Sequence, residues 1–271
     1  MLICQLTDLH VCGVGIACNR VSETNMFAAR AFRAVAAMKP APDLILITGD
    51  LTESGAPAEY AHLAALLRWH LPRPVHVIPG NHDQRQNFRA ALAHLPGVTA
   101  DPVFVQYAVD TGAVRVVMLD TLVPGATHGE LQPEQLVWLD RTLAAEPEKP
   151  TMIGMHHPPF VFGTPGMDAI GLHDPDAFTA VVAKHRQVRR IVCGHHHRPI
   201  FAQVGQAIAS VAPSVAHQVV LEFDPDAPGS FNFEPPAYHL HLWTAADGIV
   251  THTAYVEDYP GPYPFPGAIK V

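Results

Sequence analysis

Five short apolar runs, each followed by a polar or glycine residue, divide the first 200 residues of the chain. They read LICQLT before Asp8, LILIT before Gly49, VHVIP before Gly80, TMIGM before His156 and RIVC before Gly194. Runs of this length that are rich in Ile, Leu and Val are typical of strands buried on both faces of a largely parallel sheet. The pattern therefore predicts five buried strands with polar groups at their carboxyl ends.

The stretches between these runs predict helices. Ser22 is a candidate cap for a helix through NMFAARAFRAVAAM, and Pro57 and Pro133 are each well placed as the first residue of a helix. A further helical stretch is expected around 87–94, and Asp174-Pro175 pairs a cap with a first-turn proline. The alternation of strands and helices predicts an α/β fold up to about residue 195.

The last quarter of the chain has a different pattern. Short strand-like runs (AIAS, AYHLHLWT and IVTHTAYV) follow one another there with turn residues between them. Earlier in the chain, 103–109 with 114–119 resembles a hairpin. No repeat and no clear linker interrupts the chain. We therefore predict one domain over 1–271, with a core over 1–200 and a β-rich C-terminal part over 201–271.

Net charge and histidine content limit the classes of function that the chain is expected to have. The chain has a formal net charge of −8, so no stripe of Lys and Arg is available to bind a nucleic-acid backbone. It contains 18 His against 17 Lys plus Arg. Because several of these histidines must be ordinary core or surface residues, their number alone does not prove a metal site.

The cysteines and the N-terminus favour a cytoplasmic protein. The four cysteines form no C-x-x-C pair, and we expect reduced thiols. Cys12 and Cys18 share a loop, so a zinc site or a disulfide between them is an open alternative. We expect neither a secretory signal nor a membrane span, since the first apolar run is too short for either.

The polar residues at the strand ends have metal-ligand spacing. Asp8 and His10 are two residues apart, which in extended geometry projects both to one side, and His195 and His197 repeat that spacing. Asp50 follows a glycine that lets the backbone turn and leaves the carboxylate free to bridge two ions. The candidate metal ligands are Asp8, His10, Asp50, Asn81, His156, His195 and His197.

This ligand set suits a pair of transition-metal ions. Mixed imidazole, carboxylate and amide ligands suit Zn, Fe, Mn or Co better than Ca or Mg. Seven ligands are too many for one ion, but they suit two ions about 3.5–4 Å apart that share one carboxylate. Each block alone could be a turn with a capping histidine. All five in order, each at a strand end, favour a dinuclear site.

The blocks resemble those of the calcineurin-like metallophosphoesterases: D-x-H, G-D, G-N-H-D, H-H and G-H-x-H, in family order over residues 8–197. The resemblance implies a four-layer αββα sandwich with two mixed β-sheets between helices. Within the family, the segments 156–168 and 210–218 are similar to those of bacterial class III cyclic nucleotide and glycerophosphodiester phosphodiesterases.

The resemblance also implies roles for individual residues. One metal would be held by Asp8, His10, Asp50 and His197, and the other by Asp50, Asn81, His156 and His195. His82 would be the catalytic histidine near the phosphate, oriented by Asp83. Asn81, His82, His196 and His217 would contact the substrate, although for His196 and His217 a packing role is an equal alternative.

The activity implied is hydrolysis of a small phosphodiester by in-line attack of a metal-bound hydroxide, with two divalent ions (Mn, Fe, Zn or Co) per chain. The alternatives are a phosphomonoesterase or nuclease of the same fold, or a non-catalytic scaffold that binds a protein. The resemblance further suggests a homo-oligomer, a dimer or larger even assembly, formed through the C-terminal part and the Pro-aromatic tail 259–266.

Overall fold

Two β-sheets face each other at the centre of the fold, in a computed structural model that describes residues 1–71 and 73–265. The tail residue Pro266 therefore lies outside the described part. In chain order the elements are β1 (Leu2–Leu6), α1 (Thr24–Ala37), β2 (Leu44–Thr48), α2 (Pro57–His70), β3 (His76–Ile78), α3 (Arg85–Leu92), β4 (Tyr107–Asp110), β5 (Arg115–Met118), α4 (Pro133–Ala144), β6 (Thr151–Gly154), α5 (Pro165–Asp168), α6 (Pro175–Ala183), β7 (Val188–Cys193), β8 (Ile200–Val204), β9 (Ala207–Val211), β10 (Gln218–Val219), β11 (Phe231–Asn232), β12 (Ala237–Thr244) and β13 (Gly248–Tyr255).

Both large sheets are mixed. The first has the strand order β13-β12-β1-β2-β3, in which β1, β2 and β3 run parallel while β12 pairs antiparallel with β1 and with β13. The second has the order β4-β5-β6-β7-β9-β8, with a parallel centre from β5 to β9 and antiparallel edge strands. Strands β10 and β11 form a separate two-stranded pair.

Alternating side chains join the layers. Val116 and Met118 of β5 belong to the apolar core that also contains α1, α2, α3 and the first sheet, whereas Val117 belongs to the core beneath α4 and α6. Because successive residues of a strand point to opposite faces, the second sheet packs against the first sheet on one side and against helices on the other. The fold is the four-layer αββα sandwich that the family resemblance implied.

Most predicted elements are present, with two differences in the N-terminal half. Helices begin at Pro57, Pro133 and Pro175 as predicted. The predicted Ser22 cap is wrong: α1 begins at Thr24 without a side-chain cap, and the Ser22 hydroxyl lies 3.3 Å from His217 Nδ1 instead. The hairpin is confirmed, but its first strand begins only at Tyr107.

The C-terminal strands complete both sheets. The predicted runs form β9, β12 and β13, and β8 was not predicted. Strands β12 and β13 extend the first sheet, while β8 and β9 extend the second. The end of the chain therefore contributes to both layers of the sandwich.

Asp174 caps α6, and its removal should weaken the fold modestly. Its carboxylate accepts a hydrogen bond from the Ala177 amide at 3.3 Å. We expect Asp174→Ala to lower the free energy of unfolding by about 0.5–2 kcal/mol, because a first-turn amide loses its acceptor. Denaturant unfolding measures this. Asp176→Ala, in the same turn, is the matched control and should cost less; an equal loss in both variants would contradict the capping role.

Candidate metal centre

The five polar blocks meet at one edge of the sandwich. Each candidate ligand block begins two or three residues beyond the end of β1, β2, β3, β6 or β7. Three of these strands belong to the first sheet and two to the second. Since the carboxyl ends of parallel strands lie at one edge, the blocks converge there, which is where open α/β sheets bind their ligands.

The backbone of these blocks is left-handed where extended geometry was expected. The φ angles are 53° at Asp8, 46° at His10, 48° at Asp50, 73° at His195 and 54° at His197. We expected an extended backbone to project both residues of the D-x-H pair, and both of the H-x-H pair, to one side. That explanation is wrong, because the backbone at these residues is left-handed. Non-glycine residues with positive φ cost about 1–3 kcal/mol each and cluster at functional sites.

Two glycines allow the blocks to approach one another. A Cβ atom at Gly80 would overlap the Asp50 carboxylate and would lie 2.7 Å from His156 Nε2. A Cβ atom at Gly194 would overlap the Thr7 hydroxyl and lie 2.8 Å from Asp8 Oδ2. Gly80 and Gly194 are thus required by contact with another block.

A first cluster contains Asp8, His10, Asp50 and His197. Their ligand atoms all lie within 4.8 Å of one another, and all four residues are buried. His10 Nε2 is 3.1 Å from His197 Nε2 and 3.7 Å from Asp50 Oδ2, and His197 Nε2 is 3.4 Å from Asp8 Oδ1. The backbone amide of His195 also donates to both Asp8 oxygens, at 3.0 and 3.1 Å, which fixes that carboxylate.

A second group adjoins the first through Asp50. His156 Nε2 lies 3.3 Å from Asp50 Oδ2 and 3.1 Å from Asn81 Oδ1, and the His195 ring is 5.2 Å from the His156 ring. The ligand atoms of His156, His157 and His195 lie within 4.8 Å of one another. The seven predicted ligands are therefore brought together, with Asp50 between the two groups.

The hydrogen bonds of the histidine ring nitrogens show whether the site suits metal ions. In each of the four candidate-ligand histidines, one nitrogen contacts an oxygen that can only accept, so that nitrogen donates and, in the neutral ring, the other carries a lone pair. These contacts are His10 Nδ1 to Glu53 Oε2 (2.8 Å), His197 Nδ1 to the His217 carbonyl (2.8 Å), His156 Nδ1 to the Thr48 carbonyl (2.9 Å) and His195 Nε2 to the Ile170 carbonyl (3.0 Å).

Lone pairs consequently face one another inside the site. In their neutral forms, His10 Nε2 and His197 Nε2 would both present lone pairs across 3.1 Å, and His156 Nε2 faces two acceptor oxygens. Such an arrangement repels unless a positive charge lies among the atoms. The donor set and its orientation fit divalent ions, with the outer nitrogens fixed as in protein metal sites.

The charges of the site also favour a cation. Burial would lower the pKa of His156, but the adjacent Asp50 carboxylate outweighs it and raises the pKa to about 9. Burial would raise the pKa of Asp8, but the neighbouring His197 outweighs it and lowers the pKa to about 2. Burial, with the charge of His156, lowers the pKa of His195 to about 3, so this candidate ligand is a neutral ring.

His82 is the more open histidine at this edge. Its side chain is 37% exposed. Its backbone amide donates to Asp50 Oδ1 at 2.9 Å, and its Nδ1 donates to the Glu53 carbonyl at 2.8 Å. Within the described part of the chain no residue hydrogen-bonds its Nε2, which leaves that atom available to a substrate.

Asp83 does not orient His82 by a hydrogen bond, which corrects the sequence expectation for the described residues. Both of its oxygens are occupied by other donors. These are the amides of Leu51 (3.0 Å), Thr52 (3.2 Å) and Gly80 (3.0 Å) and the hydroxyls of Thr52 (3.0 Å) and Tyr60 (2.8 Å). Burial and the charge of Asp50 raise the pKa of Asp83 to about 6, even though these donors stabilise its charged form. Asp83 thus ties the G-N-H-D loop to the segment after Asp50.

The two remaining candidate substrate contacts have different surroundings. His217 borders a cavity of about 490 Å³ that is also lined by Met167, Ile170 and Phe231, and its ring lies 5.4 Å from that of His10. His196 is buried, with its ring 3.2 Å from that of Phe162. Phe162 therefore covers one face of the His196 ring.

Sequence reasoning missed Glu53 and left His157 without a role. Glu53 contacts both His10 and His82, and its only signal was a carboxylate three residues after Asp50. Both nitrogens of His157 are engaged, by the Thr121 hydroxyl at 2.8 Å and the Thr127 carbonyl at 3.2 Å. His157 therefore supports the loop and is not free to bind an ion.

The cysteines lie close to this edge as free thiols. All four are buried and form no disulfide. Cys12 Sγ donates to the His10 carbonyl at 3.6 Å, and Cys18 Sγ accepts from Asn19 Nδ2 at 3.4 Å. Of the two alternatives that the sequence left open, the disulfide between Cys12 and Cys18 is absent, and neither cysteine belongs to a cluster of potential metal ligands among the described residues.

Comparison with known proteins decides the family. Residues 1–199 match the family model described as calcineurin-like phosphoesterase. The chain belongs to the calcineurin-like phosphoesterase family. As expected from the sequence, the seven candidate metal ligands lie within the residues that this model matches. None of the helices formed by residues 1–71 and 73–265 is both long enough and apolar enough to cross a bilayer.

Relatives cover nearly the whole length of this phosphoesterase. It is 32% identical over 267 residues to a protein of Arcobacter nitrofigilis named as a probable glycerophosphodiester phosphodiesterase, GpdQ, covering 98% of this chain and 97% of that one. It is 35% identical over 254 residues to a probable cyclic nucleotide phosphodiesterase of a Synechococcus species, covering 91% and 94%. A dimetal phosphatase of Danio rerio shares the fold, with a TM-score of 0.62 at 15% identity over 95% of this chain and 99% of the other.

Proposed function

We propose that this protein is a dimetal phosphodiesterase that hydrolyses small phosphodiesters such as cyclic nucleotides or glycerophosphodiesters. The observation that carries the proposal is the orientation of the histidine lone pairs toward Asp8 and Asp50 at the common edge of both sheets. The names of the full-length relatives support the reaction class.

The candidate ligands would divide into two sets, one for each ion, with Asp50 common to both. Asp8, His10, Asp50 and His197 would hold one ion, and Asp50, Asn81, His156 and His195 would hold the other. When bound, two divalent ions (Mn, Fe, Zn or Co) supply an activated water nucleophile and neutralise charge on the phosphoryl group. The protein contributes the geometry: amide donors from His195 and His82 fix the two carboxylates.

His82 would donate a proton to the leaving alkoxide. Its Nδ1 is committed to the Glu53 carbonyl, so Nε2 is the atom that faces the substrate. Burial lowers the pKa of His82, but the Asp50 carboxylate outweighs it and the net shift in the metal-free protein is upward. General acid catalysis of this kind contributes typically about 10²–10⁴-fold to the rate.

The cavity beside His217 would hold one ester arm of the substrate. Its volume of about 490 Å³ suits a small molecule, and its walls include the loops around Met167 and Phe231. A nuclease is disfavoured by the net charge of −8. A non-catalytic scaffold is disfavoured because all seven candidate ligands are present and assembled.

The proposal is tested by metal content and substrate preference together. We expect two transition-metal ions per chain after loading with Mn²⁺ or Co²⁺. We expect kcat/KM for bis(p-nitrophenyl) phosphate to exceed that for p-nitrophenyl phosphate by at least about tenfold, or about 1.4 kcal/mol of transition-state binding. A preference for the monoester would support the phosphomonoesterase. A protein that binds no transition ion and turns over neither ester would support the scaffold.

Self-association and a cytoplasmic location are part of the same proposal. Exposed aromatic side chains on the C-terminal part, Tyr255, Tyr259 and Tyr263 among them, support assembly into a dimer or larger even oligomer. The four free thiols support a reducing compartment.

A further inference from the structure

Glu53 is the residue that joins the metal side of the site to the substrate side. Its carboxylate Oε2 lies 2.8 Å from His10 Nδ1 and 3.7 Å from His82 Nδ1, while its backbone carbonyl accepts from His82 Nδ1 at 2.8 Å. Its own amide donates to the Val11 carbonyl at 3.1 Å. One residue therefore contacts a candidate ligand and the candidate acid through different groups.

The contact with the Glu53 carboxylate determines which nitrogen of His10 carries the proton. A carboxylate can only accept, so His10 Nδ1 carries the proton and Nε2 carries the lone pair. That Nε2 atom is the one within 3.1 Å of His197 and 3.7 Å of Asp50. With the opposite tautomer, His10 would point an N–H at the place where the first cluster needs an electron pair.

The contact with the backbone carbonyl of Glu53 fixes the proton of His82 on Nδ1, and this contact does not need the Glu53 side chain. The carbonyl of residue 53 is present whatever its side chain, so His82 keeps its Nδ1 donor in any substitution that leaves the loop in place. The loop itself is held by other groups. The Glu59 carboxylate accepts from the amides of Ser54 (2.9 Å) and Ala56 (3.2 Å), and Asp83 accepts from Thr52.

We propose that Glu53 is a positioning residue for the first metal ion, the one assigned to Asp8, His10, Asp50 and His197. Its carboxylate fixes the His10 tautomer and ring, and raises the basicity of His10 Nε2. This inference rests on the proposed function, because it requires a metal centre at this edge. Carboxylate partners of ligating histidines typically contribute about 10–100-fold to metal affinity.

The test is calorimetric titration of the metal-free full chain with Mn²⁺ or Co²⁺. We expect Glu53→Gln, which keeps size and removes charge, to weaken one of the two binding steps by about 10–100-fold and leave the other nearly unchanged. Glu53→Ala should weaken the same step at least as much. Thermal unfolding of the metal-free variants reports whether the loop is intact.

Glu59→Gln is the matched control, since it alters a carboxylate of α2 that accepts from two amides of the same loop and contacts no histidine among the described residues. Equal binding by wild type and Glu53→Gln overturns the inference, as does equal weakening by Glu53→Gln and Glu59→Gln. The inference is also overturned if the wild type binds a third ion that the Glu53 variants do not bind, because the cluster of His10, Glu53 and His82 would then be a site of its own. Failure of the wild type to bind two ions overturns the proposed function itself.

Discussion

Asp50→Asn is expected to remove most of the diesterase activity, with a fall in kcat of at least about 10³-fold. Asp50 lies between the two groups of ligands, with Oδ2 3.3 Å from His156 Nε2 and 3.7 Å from His10 Nε2. Asparagine keeps the shape and the acceptor for the His82 amide but loses the charge that both ions would share. Electrostatic stabilisation by such a centre is worth several kcal/mol, and each 1.36 kcal/mol is tenfold in rate.

The loss should appear in metal content as well as in turnover. We expect fewer than two ions per chain by elemental analysis, and kcat should be measured at saturating metal. The matched control is Asp43→Asn, which changes the aspartate flanking the opposite end of β2, where Asp43 Oδ2 accepts from the Leu2 amide. Full activity and two ions in Asp50→Asn would exclude a shared carboxylate at this position.

His82→Ala is expected to lower kcat for an alkyl phosphodiester by about 10²–10⁴-fold while two ions remain bound. The reason is that His82 contacts the site through its amide, which alanine retains, whereas the Nε2 proton donor is lost. The loss should be smaller for bis(p-nitrophenyl) phosphate, whose leaving group departs without a proton.

The comparison of the two substrates separates a proton donor from a binding residue. A kinetic panel with glycerophosphocholine and bis(p-nitrophenyl) phosphate measures it, with His252→Ala, an exposed histidine on β13, as the control. An equal loss on both substrates would show that His82 stabilises charge or binds the phosphate. No loss on either would remove His82 from the mechanism.

The positions of the candidate ligands were predictable because each follows a short apolar run. A buried strand is a local pattern, and parallel strands must end at a common edge, so residues as distant as Asp8 and His197 could be assigned to one site. The same reasoning identified the prolines that open α2, α4 and α6. These features depend on residues that are neighbours in sequence.

The supporting contacts were not predictable because they join segments that only the fold brings together. The role of Glu53 depends on a parallel pairing of Val11 with Thr52 beyond the ends of β1 and β2. The partners of Asp83 come from two loops and a helix, which is why its assignment to His82 failed. The left-handed backbone at Asp8 and Asp50 was likewise not predictable from the apolar runs, since few non-glycine residues adopt it.

The division of the ligands between two sheets has a mechanical consequence. Asp8, Asp50 and Asn81 follow strands of one layer, and His156 and His195 follow strands of the other. A slip of one layer by a single residue, about 3.3 Å, would pull every ligand set apart. Ions bound there would hold the two sheets in one relative position. Their binding free energy would oppose such a slip, so the packing of the two sheets and the metal occupancy of the site would be thermodynamically linked.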